Sequence, residues 1–181
     1  MRKLILLFAM LVSIGAYAQF PIDSVSKKIT YTEVVSVNGA TKDLLYLRAK
    51  ALNSMQSSTL KDDKAGGIYS YKGSFPVKYP APQVGNSHTG TVSYVVTVVC
   101  KDGKYKYTVT DLTHTSDKGN GGGLEGALPA CGKYTLTLSG WNSIKKQSQD
   151  KMNELVKAIK SAMDSPAPNA PAKNNATSTD F

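Results

Sequence analysis

Residues 90–115, GTVSYVVTVVCKDGKYKYTVTDLTHT, predict a long β-hairpin around Asp102-Gly103. An Asp-Gly pair between two alternating apolar runs indicates a two-residue loop, whose type I′ form needs positive φ at both positions. A two-residue loop fixes the register, so Cys100 faces Tyr105 and Ser93 faces Leu112. Side chains alternate between the two faces of a strand. One face is therefore mixed, with Val95, Val99 and Leu112, and the other is a core face formed by Val92, Tyr94, Val96, Val98, Cys100, Tyr105, Tyr107 and Val109.

On the N-terminal side of the hairpin, the pattern predicts a strand, a helix and a second strand. Residues 28–37 are rich in β-branched side chains, which favours a strand. Residues 43–55 place leucine, alanine and methionine at helical spacing, and 61–67 form a polar turn. Residues 68–79 alternate as a strand does, and Pro76 puts that strand at an edge, since proline cannot donate to a ladder.

On the C-terminal side, a Gly-rich insert at 117–132 precedes a possible short strand at 133–138. Asn142 or Ser143 caps a second amphipathic helix that runs to Met163. The order is therefore β-α-β-β-β-(β)-α. We expect a single α+β domain over residues 28–163, in which an antiparallel sheet packs two helices on one face.

Three segments resemble a family of exported bacterial domains of unknown function. They are KITYTEVVSVNGATKDLLYLRAKALNSM, with a helix start at Thr41-Lys42-Asp43, VSYVVTVVCKDGKYKYTVTDL, and WNSIKKQSQDKMNELVKAIKSAM. The resemblance implies a fold like that of the TATA-box-binding protein (TBP), with a curved antiparallel sheet gripping helices and strand 68–79 at an edge. It implies no established activity and no catalytic residues, since a shared fold does not carry function.

Residues 1–18 predict a signal peptide, because Arg2 and Lys3 precede an apolar stretch that ends in an A-x-A cleavage pattern. Cleavage between Ala18 and Gln19 would release a periplasmic or secreted protein. No cysteine follows that site, so we do not expect a lipoprotein. Residues 19–27 form a lead-in to the domain. No later stretch is long and apolar enough to predict a transmembrane segment.

The charge of the mature chain bears on its partners. The signal carries two of the 22 basic residues and none of the 13 acidic ones, so cleavage lowers the formal net charge from +9 to +7. A basic protein suits an anionic envelope or polysaccharide surface, or an unknown protein partner, and export argues against nucleic acid. Residues 164–181 are rich in proline, alanine, asparagine and threonine, which predicts a disordered tail.

The residues that could carry chemistry are sparse. His88 and His114 fall near the same end of the hairpin, with Asp111 close in sequence, but two loop histidines are more simply interpreted as solvated. The glycines of 119–126 lack the Lys-Ser/Thr ending of a phosphate loop. We therefore predict no catalytic residues, no metal and no cofactor.

Two further sets of residues are open to two interpretations each. Two cysteines in an exported chain favour a Cys100–Cys131 disulfide, which would anchor the Gly-rich insert to the sheet, against two unrelated free thiols. The tyrosines of the strands either belong to the core or line a ligand cavity between the sheet and the helices; they are Tyr71, Tyr94, Tyr105 and Tyr107.

Three functional classes follow from these observations. We favour a non-enzymatic binding or scaffolding module of the cell envelope, because it needs only an exposed surface. Two surfaces are offered: the mixed face with Val95, Val99 and Leu112, and the edge at 70–78, where a partner strand could add. The alternatives are a carrier of a small apolar ligand in the tyrosine-lined cavity and, with less support, a hydrolase.

Overall fold

The computed structural model describes residues 20–53, 58–81 and 85–165. The predicted signal peptide (1–18) and the predicted tail beyond Ser165 lie outside the described residues. In the described part of the chain, no helix is long and apolar enough to cross a membrane.

Six strands and two helices make up the described chain. The strands form one antiparallel sheet in the order β1-β5-β4-β3-β2, and a sixth short strand pairs with β5. The predicted α+β architecture is confirmed. In chain order the elements are β1 (Tyr31–Ser36), α1 (Lys42–Ala51), β2 (Ser58–Asp63), β3 (Ile68–Pro80), β4 (Ser87–Lys101), β5 (Lys104–Thr115), β6 (Gly122–Gly123) and α2 (Leu138–Asp164).

The core lies between one face of the sheet and the two helices. Over most of β3 and β4 burial alternates, and most of the buried side chains lie on the helix side of the sheet. The long helix α2 contributes a stripe whose members recur at helical spacing, which is the pattern of a helix lying on a sheet. That stripe consists of Trp141, Ile144, Ser148, Met152, Ile159 and Met163, all fully or almost fully buried.

Helix α2 begins earlier than the sequence pattern indicates. Thr137 is the N-cap, and its hydroxyl accepts a hydrogen bond from the Gly140 amide at 3.1 Å. The predicted strand at 133–138 is therefore wrong, and so is the predicted cap at Asn142 or Ser143. A threonine that can satisfy an orphan amide of the first turn favours a helix start over the end of a strand.

The predicted hairpin register is correct from the turn to Val95, which pairs with Thr110. Beyond that point a bulge intervenes, and Ser93 pairs with Thr113 rather than Leu112. Asp111 occupies the bulge with a φ of +57°, a conformation that aspartate tolerates better than most residues. The extra residue turns Leu112 into the core, where it is fully buried, so its predicted place on the mixed face is wrong.

The hairpin turn has the predicted length but not the predicted type I′ form. Only Gly103 of the two loop residues has a positive φ, +72°. The Asp102 carboxylate instead accepts a hydrogen bond from the Lys42 amide at 2.7 Å, next to the N-cap Thr41. The turn therefore serves as part of the cap of α1.

The polar turn predicted at 61–67 is wrong over its first part. Strand β2 extends to Asp63 and pairs with β3 from Ile68 to Lys72. Its sequence, STLKDD, lacks apolar alternation because its side chains are mostly exposed. The edge position predicted for 68–79 therefore holds only beyond Lys72, which includes Pro76.

The Gly-rich insert at 117–132 packs on the domain. Within it, β6 pairs with β5, and Leu124 is buried. The Gly126 carbonyl accepts hydrogen bonds from Trp141 Nε1 at 3.0 Å and Lys145 Nζ at 2.6 Å. These contacts fasten the insert to the start of α2.

Candidate functional site

The sheet face opposite the helices, here called the open face, has no covering layer among the described residues. Both helices pack against the other face, as the alternating burial of β3, β4 and β5 shows. A sheet face without a covering layer is available to a partner. The open face therefore is the first candidate for a functional surface.

A row of hydroxyl groups crosses the open face from β1 to β3. Thr32 and Thr108 approach at 3.2 Å between their Oγ1 atoms, and Thr108 pairs with Thr97 across β5 and β4. Thr97 in turn lies 2.9 Å from the Ser70 hydroxyl. The Thr32 and Ser70 hydroxyls also donate to the backbone carbonyls of Tyr107 and Val96, so each hydroxyl has a partner and the row gives the face a polar but uncharged centre.

Next to this row, an apolar depression of about 320 Å³ opens at the turn end of the sheet. Val34 and Val99 form its apolar part, and Val34 is 61% exposed, although it sits in a strand. The rim carries positive charge from Lys101, Lys104 and Lys106, and no acidic residue lines the depression. An apolar surface with a cationic rim suits a ligand that is partly apolar and partly negatively charged.

The outer side of β1, here called the open edge, borders this depression. The Val37 amide donates to the Gly103 carbonyl at 2.8 Å. The odd-numbered residues of β1 are therefore the ones whose backbone groups are hydrogen-bonded to β5. The even-numbered residues of β1 direct their amides and carbonyls away from β5, toward solvent. These are Thr32, Val34 and Ser36, and their backbone groups have no hydrogen-bond partner among the described residues.

By contrast, the outer side of β3 is blocked at most positions. Strand β2 covers it up to Lys72, and Pro76 has no amide hydrogen to offer. At Lys78 the Gln147 side chain from α2 takes the place of a strand: its Oε1 accepts from the Lys78 amide at 3.2 Å, and its Nε2 donates to the Lys78 carbonyl at 2.7 Å. Only Ser74 keeps both outward backbone groups, so the edge predicted at 70–78 is a poor site for an added strand.

The outer side of β2 is blunted as well. A register shift leaves Leu60 unpaired as a bulge, and the three residues after it are charged. Bulges and charged side chains are the usual protections of an edge strand. Asp62 also receives hydrogen bonds from the Tyr46 hydroxyl and the Lys50 ammonium group of α1.

The four tyrosines predicted to line a cavity lie in two separate places. Tyr71 packs beside Tyr69, with ring centroids 6.2 Å apart, and half-buried Tyr94 packs beside Phe75, at 6.0 Å. Tyr105 and Tyr107 lie on β5, where burial raises the pKa of each to about 12. Of the four, only Tyr105 lines the apolar depression at Val34 and Val99, and none of them lines the depression near the histidines. The core interpretation therefore has more support than the cavity.

The predicted disulfide does not form in the structure. Cys100 and Cys131 are both free, Cys100 buried and Cys131 half-buried. Cys100 lies at the turn end of β4, whereas the Cys131 amide bonds to Asn120 beside β6, which pairs with His114 at the other end. At about 3.4 Å per residue, the stretch of β4 between these ends spans roughly 27 Å, far beyond the reach of a disulfide.

The two histidines lie in strands rather than loops, and both rings contact Tyr79, at centroid distances of 5.9 Å for His88 and 5.4 Å for His114. His114 is fully buried, so its predicted solvation is wrong; the bulge at Asp111 has turned it inward. Its Nδ1 accepts from the Gly121 amide at 3.1 Å. Burial lowers the pKa of His114, which favours the neutral ring.

Among the described residues, the surroundings of these histidines show no group suited to hold a metal ion. His114 Nε2 is buried without a hydrogen-bond partner. In the described ranges, no group of three or more His, Cys, Asp and Glu side chains is arranged to hold a metal ion. A shallow depression of about 470 Å³ lies near this end, lined mostly by threonine, serine and glycine. Its one carboxylate, Asp117, contacts Lys118 at 3.7 Å.

The architecture defines a class: a curved antiparallel sheet that holds two helices on one face, as in the TBP-like fold. Residues 31–115 match the family model of a domain of unknown function with TBP-like fold, DUF4468. The matched stretch runs from β1 to the end of β5, and over it the chain is similar to that family. The resemblance noted from the sequence is confirmed.

Two solved structures share the fold. A DUF4468 family protein from Bacteroides ovatus ATCC 8483 is 16% identical, with a TM-score of 0.58 over 82% of this chain and 94% of that one. A TBP-like protein from Parabacteroides distasonis ATCC 8503 is 13% identical, with a TM-score of 0.51 over 78% and 97%. At these identities the likeness concerns the fold alone. No curated protein matches the sequence.

Sequence reasoning found the open face but not the open edge. The mixed face was predicted from Val95 and Val99, which the structure keeps outside the core as half-buried residues. The blocking of β3 by Gln147 could not be predicted, because it depends on how α2 lies along the sheet. A usable signal was present in β1, where Thr32, Val34 and Ser36 are all uncharged. An edge strand that needed protection would carry charge or proline there.

Proposed function

We propose that the protein is an exported, non-enzymatic binding module of the cell envelope, and that it engages an anionic partner through the open face. The observation that supports this most is the apolar depression at Val34 and Val99 with its rim of three lysines. Binding needs such a surface and no catalytic group. The described residues offer the surface, and among them no group of three or more His, Cys, Asp and Glu side chains is arranged to hold a metal ion.

Export is part of the proposal and has its own test. We expect the mature chain to begin at Gln19, and mass spectrometry of the protein recovered from envelope fractions measures this directly. Recovery of a chain that still begins at Met1 would contradict export by signal cleavage.

The lysine rim gives the test of the binding face. A variant with Lys101→Glu, Lys104→Glu and Lys106→Glu should lose most sedimentation of the mature chain with envelope vesicles from a strain that lacks the gene. Charge reversal both removes the attraction and adds repulsion toward an anionic partner. Raised salt should weaken the wild-type interaction, since exposed charges are screened over about 8 Å at physiological ionic strength.

A matched control carries the same change in net charge on the outer surface of α2: Lys146→Glu, Lys151→Glu and Lys157→Glu, all at exposed positions. This control should sediment like the wild type. Equal loss in both variants would mean that only net charge matters, and undiminished binding of the first variant would overturn the proposed face.

A further inference from the structure

We propose that the open edge of β1 accepts an extended, acidic segment of a partner protein as an added antiparallel strand. This inference rests on the proposed function, since it specifies how the open face engages its partner. It concerns the backbone of Thr32, Val34 and Ser36 and the lysines beside them. The partner is defined by its chemistry: an unpaired backbone and carboxylate side chains at alternate positions.

The edges of the sheet differ in how far they are protected against an added strand. Along β3, a paired strand, Pro76 and the Gln147 amide block the outward backbone groups, and β2 has a bulge and a run of charges. Each of these is a known protection against strand addition. Strand β1 has no proline, no bulge and no lysine. The described chain thus protects one side of its sheet and leaves the other ready to pair.

The one charged side chain of β1 does not protect the edge. Glu33 is one of the odd-numbered residues whose backbone is hydrogen-bonded to β5. Its carboxylate contacts Lys160 Nζ at 2.5 Å and accepts a hydrogen bond from the Tyr107 hydroxyl at 3.1 Å. These partners lower the pKa of Glu33, the Lys160 hydrogen bond most. Its charge is therefore compensated on the helix side of the sheet. Glu33 therefore adds no negative charge to the open face beside Val34.

The chain itself already pairs with this side of the sheet just before β1. The Thr30 amide points to the same side as those of Thr32, Val34 and Ser36, and it donates to the Pro21 carbonyl at 2.9 Å. Ile22 and Ile29 form a bridge in the same lead-in. The pairing stops there. Among the described residues, nothing continues it along Thr32, Val34 and Ser36.

Charge complementarity selects the occupant of the open edge. A strand added to β1 projects every second side chain over the open face, next to Val34 and the depression. The cationic groups in reach are Lys104 and Lys106 on β5, which face Ser36 and Val34. Acidic side chains at those positions would be favoured, and basic ones would be repelled. A second copy of this chain would present Thr32, Val34 and Ser36 instead, with no carboxylate to meet the lysines.

The test uses a capped nine-residue peptide of alternating valine and glutamate, with a valine–lysine peptide of equal length as the control. The mature wild-type chain should bind the acidic peptide saturably, and the basic peptide at least about tenfold more weakly. On binding, the amides of Thr32, Val34 and Ser36 should gain protection in hydrogen exchange, because they become hydrogen-bonded. No saturable binding up to about 1 mM, or protection confined to Ser74, would overturn the inference.

A variant of the edge separates backbone pairing from charge. Val34→Pro removes an outward amide that β5 does not use, a position where an edge strand tolerates proline. It should weaken acidic-peptide binding at least about tenfold. Ser74→Pro, which removes an outward amide from β3 on the opposite side of the sheet, is the matched control and should bind like the wild type. Equal binding by all three proteins would overturn strand addition.

The outcomes also separate this inference from the function on which it rests. If Val34→Pro sediments with envelope vesicles like the wild type while the lysine-reversal variant does not, the binding face stands and strand addition fails. If neither variant changes sedimentation, the proposed function fails. A wild-type dimer that Val34→Pro converts to monomer would replace the acidic partner with a second copy, and would overturn the occupant proposed here.

Discussion

Gly90 on β4 lies against the imidazole of His114 on β5, so closely that a Cβ at position 90 would fall 2.2 Å from His114 Nε2. We expect Gly90→Ala to destabilise the fold by about 1–3 kcal/mol, the usual cost of overpacking a filled core. Urea unfolding measures the change. The cost of Gly90→Ala should shrink when His114→Ala is also present, because the second change removes the clash. Strictly additive costs would show that the contact is not responsible.

The buried state of His114 predicts a dependence of stability on pH. Burial lowers its folded-state pKa below the ordinary 6.5, so the unfolded chain binds the proton more readily. The free energy of unfolding should therefore be fully retained above pH 6.5 and should fall as the pH drops below it. His114→Gln, which cannot titrate, should remove the part of the fall that begins near 6.5. Carboxylates such as Glu33, whose pKa is lowered, act only at more acidic pH.

The pairing of Gln147 with Lys78 predicts a defect in solubility. Gln147→Leu removes both hydrogen bonds to the Lys78 backbone, which should cost about 1–2 kcal/mol and expose an unpaired edge. We expect a lower urea midpoint and faster aggregation by light scattering. Asn142→Leu, at an exposed position of the same helix, adds the same side chain without touching the edge. If both variants aggregate alike, added hydrophobicity rather than edge exposure is the cause.

The two free cysteines should differ in reactivity. Burial raises the pKa of the Cys100 thiol to about 11, so little of the reactive thiolate is present near neutral pH. In the native protein, a maleimide should label half-buried Cys131 first and Cys100 only on unfolding; Cys131→Ser should leave almost no native labelling. A denatured, unreduced sample should titrate two thiols. If no free thiol were found, the two cysteines would be joined by a disulfide after all.

The alternation of residues in the chain predicted much of this fold. Asp102-Gly103 fixed the centre of the sheet, and the helical stripe from Ile144 to Met163 placed the long helix. Strand β2 was missed because STLKDD has no buried face and therefore no periodicity. The start of α2 was misplaced because Thr137 can end a strand or cap a helix, and only packing decides between them. The disulfide was predicted from compartment chemistry, which says nothing about distance.

The candidate site was predicted only in part, because it depends on what is left uncovered. Val95 and Val99 marked the right face, but whether an edge is open is decided by every other element. Gln147 is sixty-nine positions away from the Lys78 backbone that it satisfies. No local pattern encodes that pairing. The open edge of β1 can be recognised only by comparison with β3, where most of the outward backbone groups are blocked.

The bulge at Asp111 gives β5 two patterns in series that are out of phase by one residue. Odd-numbered residues are buried from Tyr105 to Val109, and even-numbered ones are buried at Leu112 and His114. A relative that lacked this one residue, with the rest of the strand unchanged, would present a leucine and a histidine to solvent. Gain or loss of a single residue at this position would therefore exchange the buried and the exposed side chains in the part of β5 that follows Asp111. Sequence alignments across the bulge should be judged by this alternation of buried residues rather than by identity.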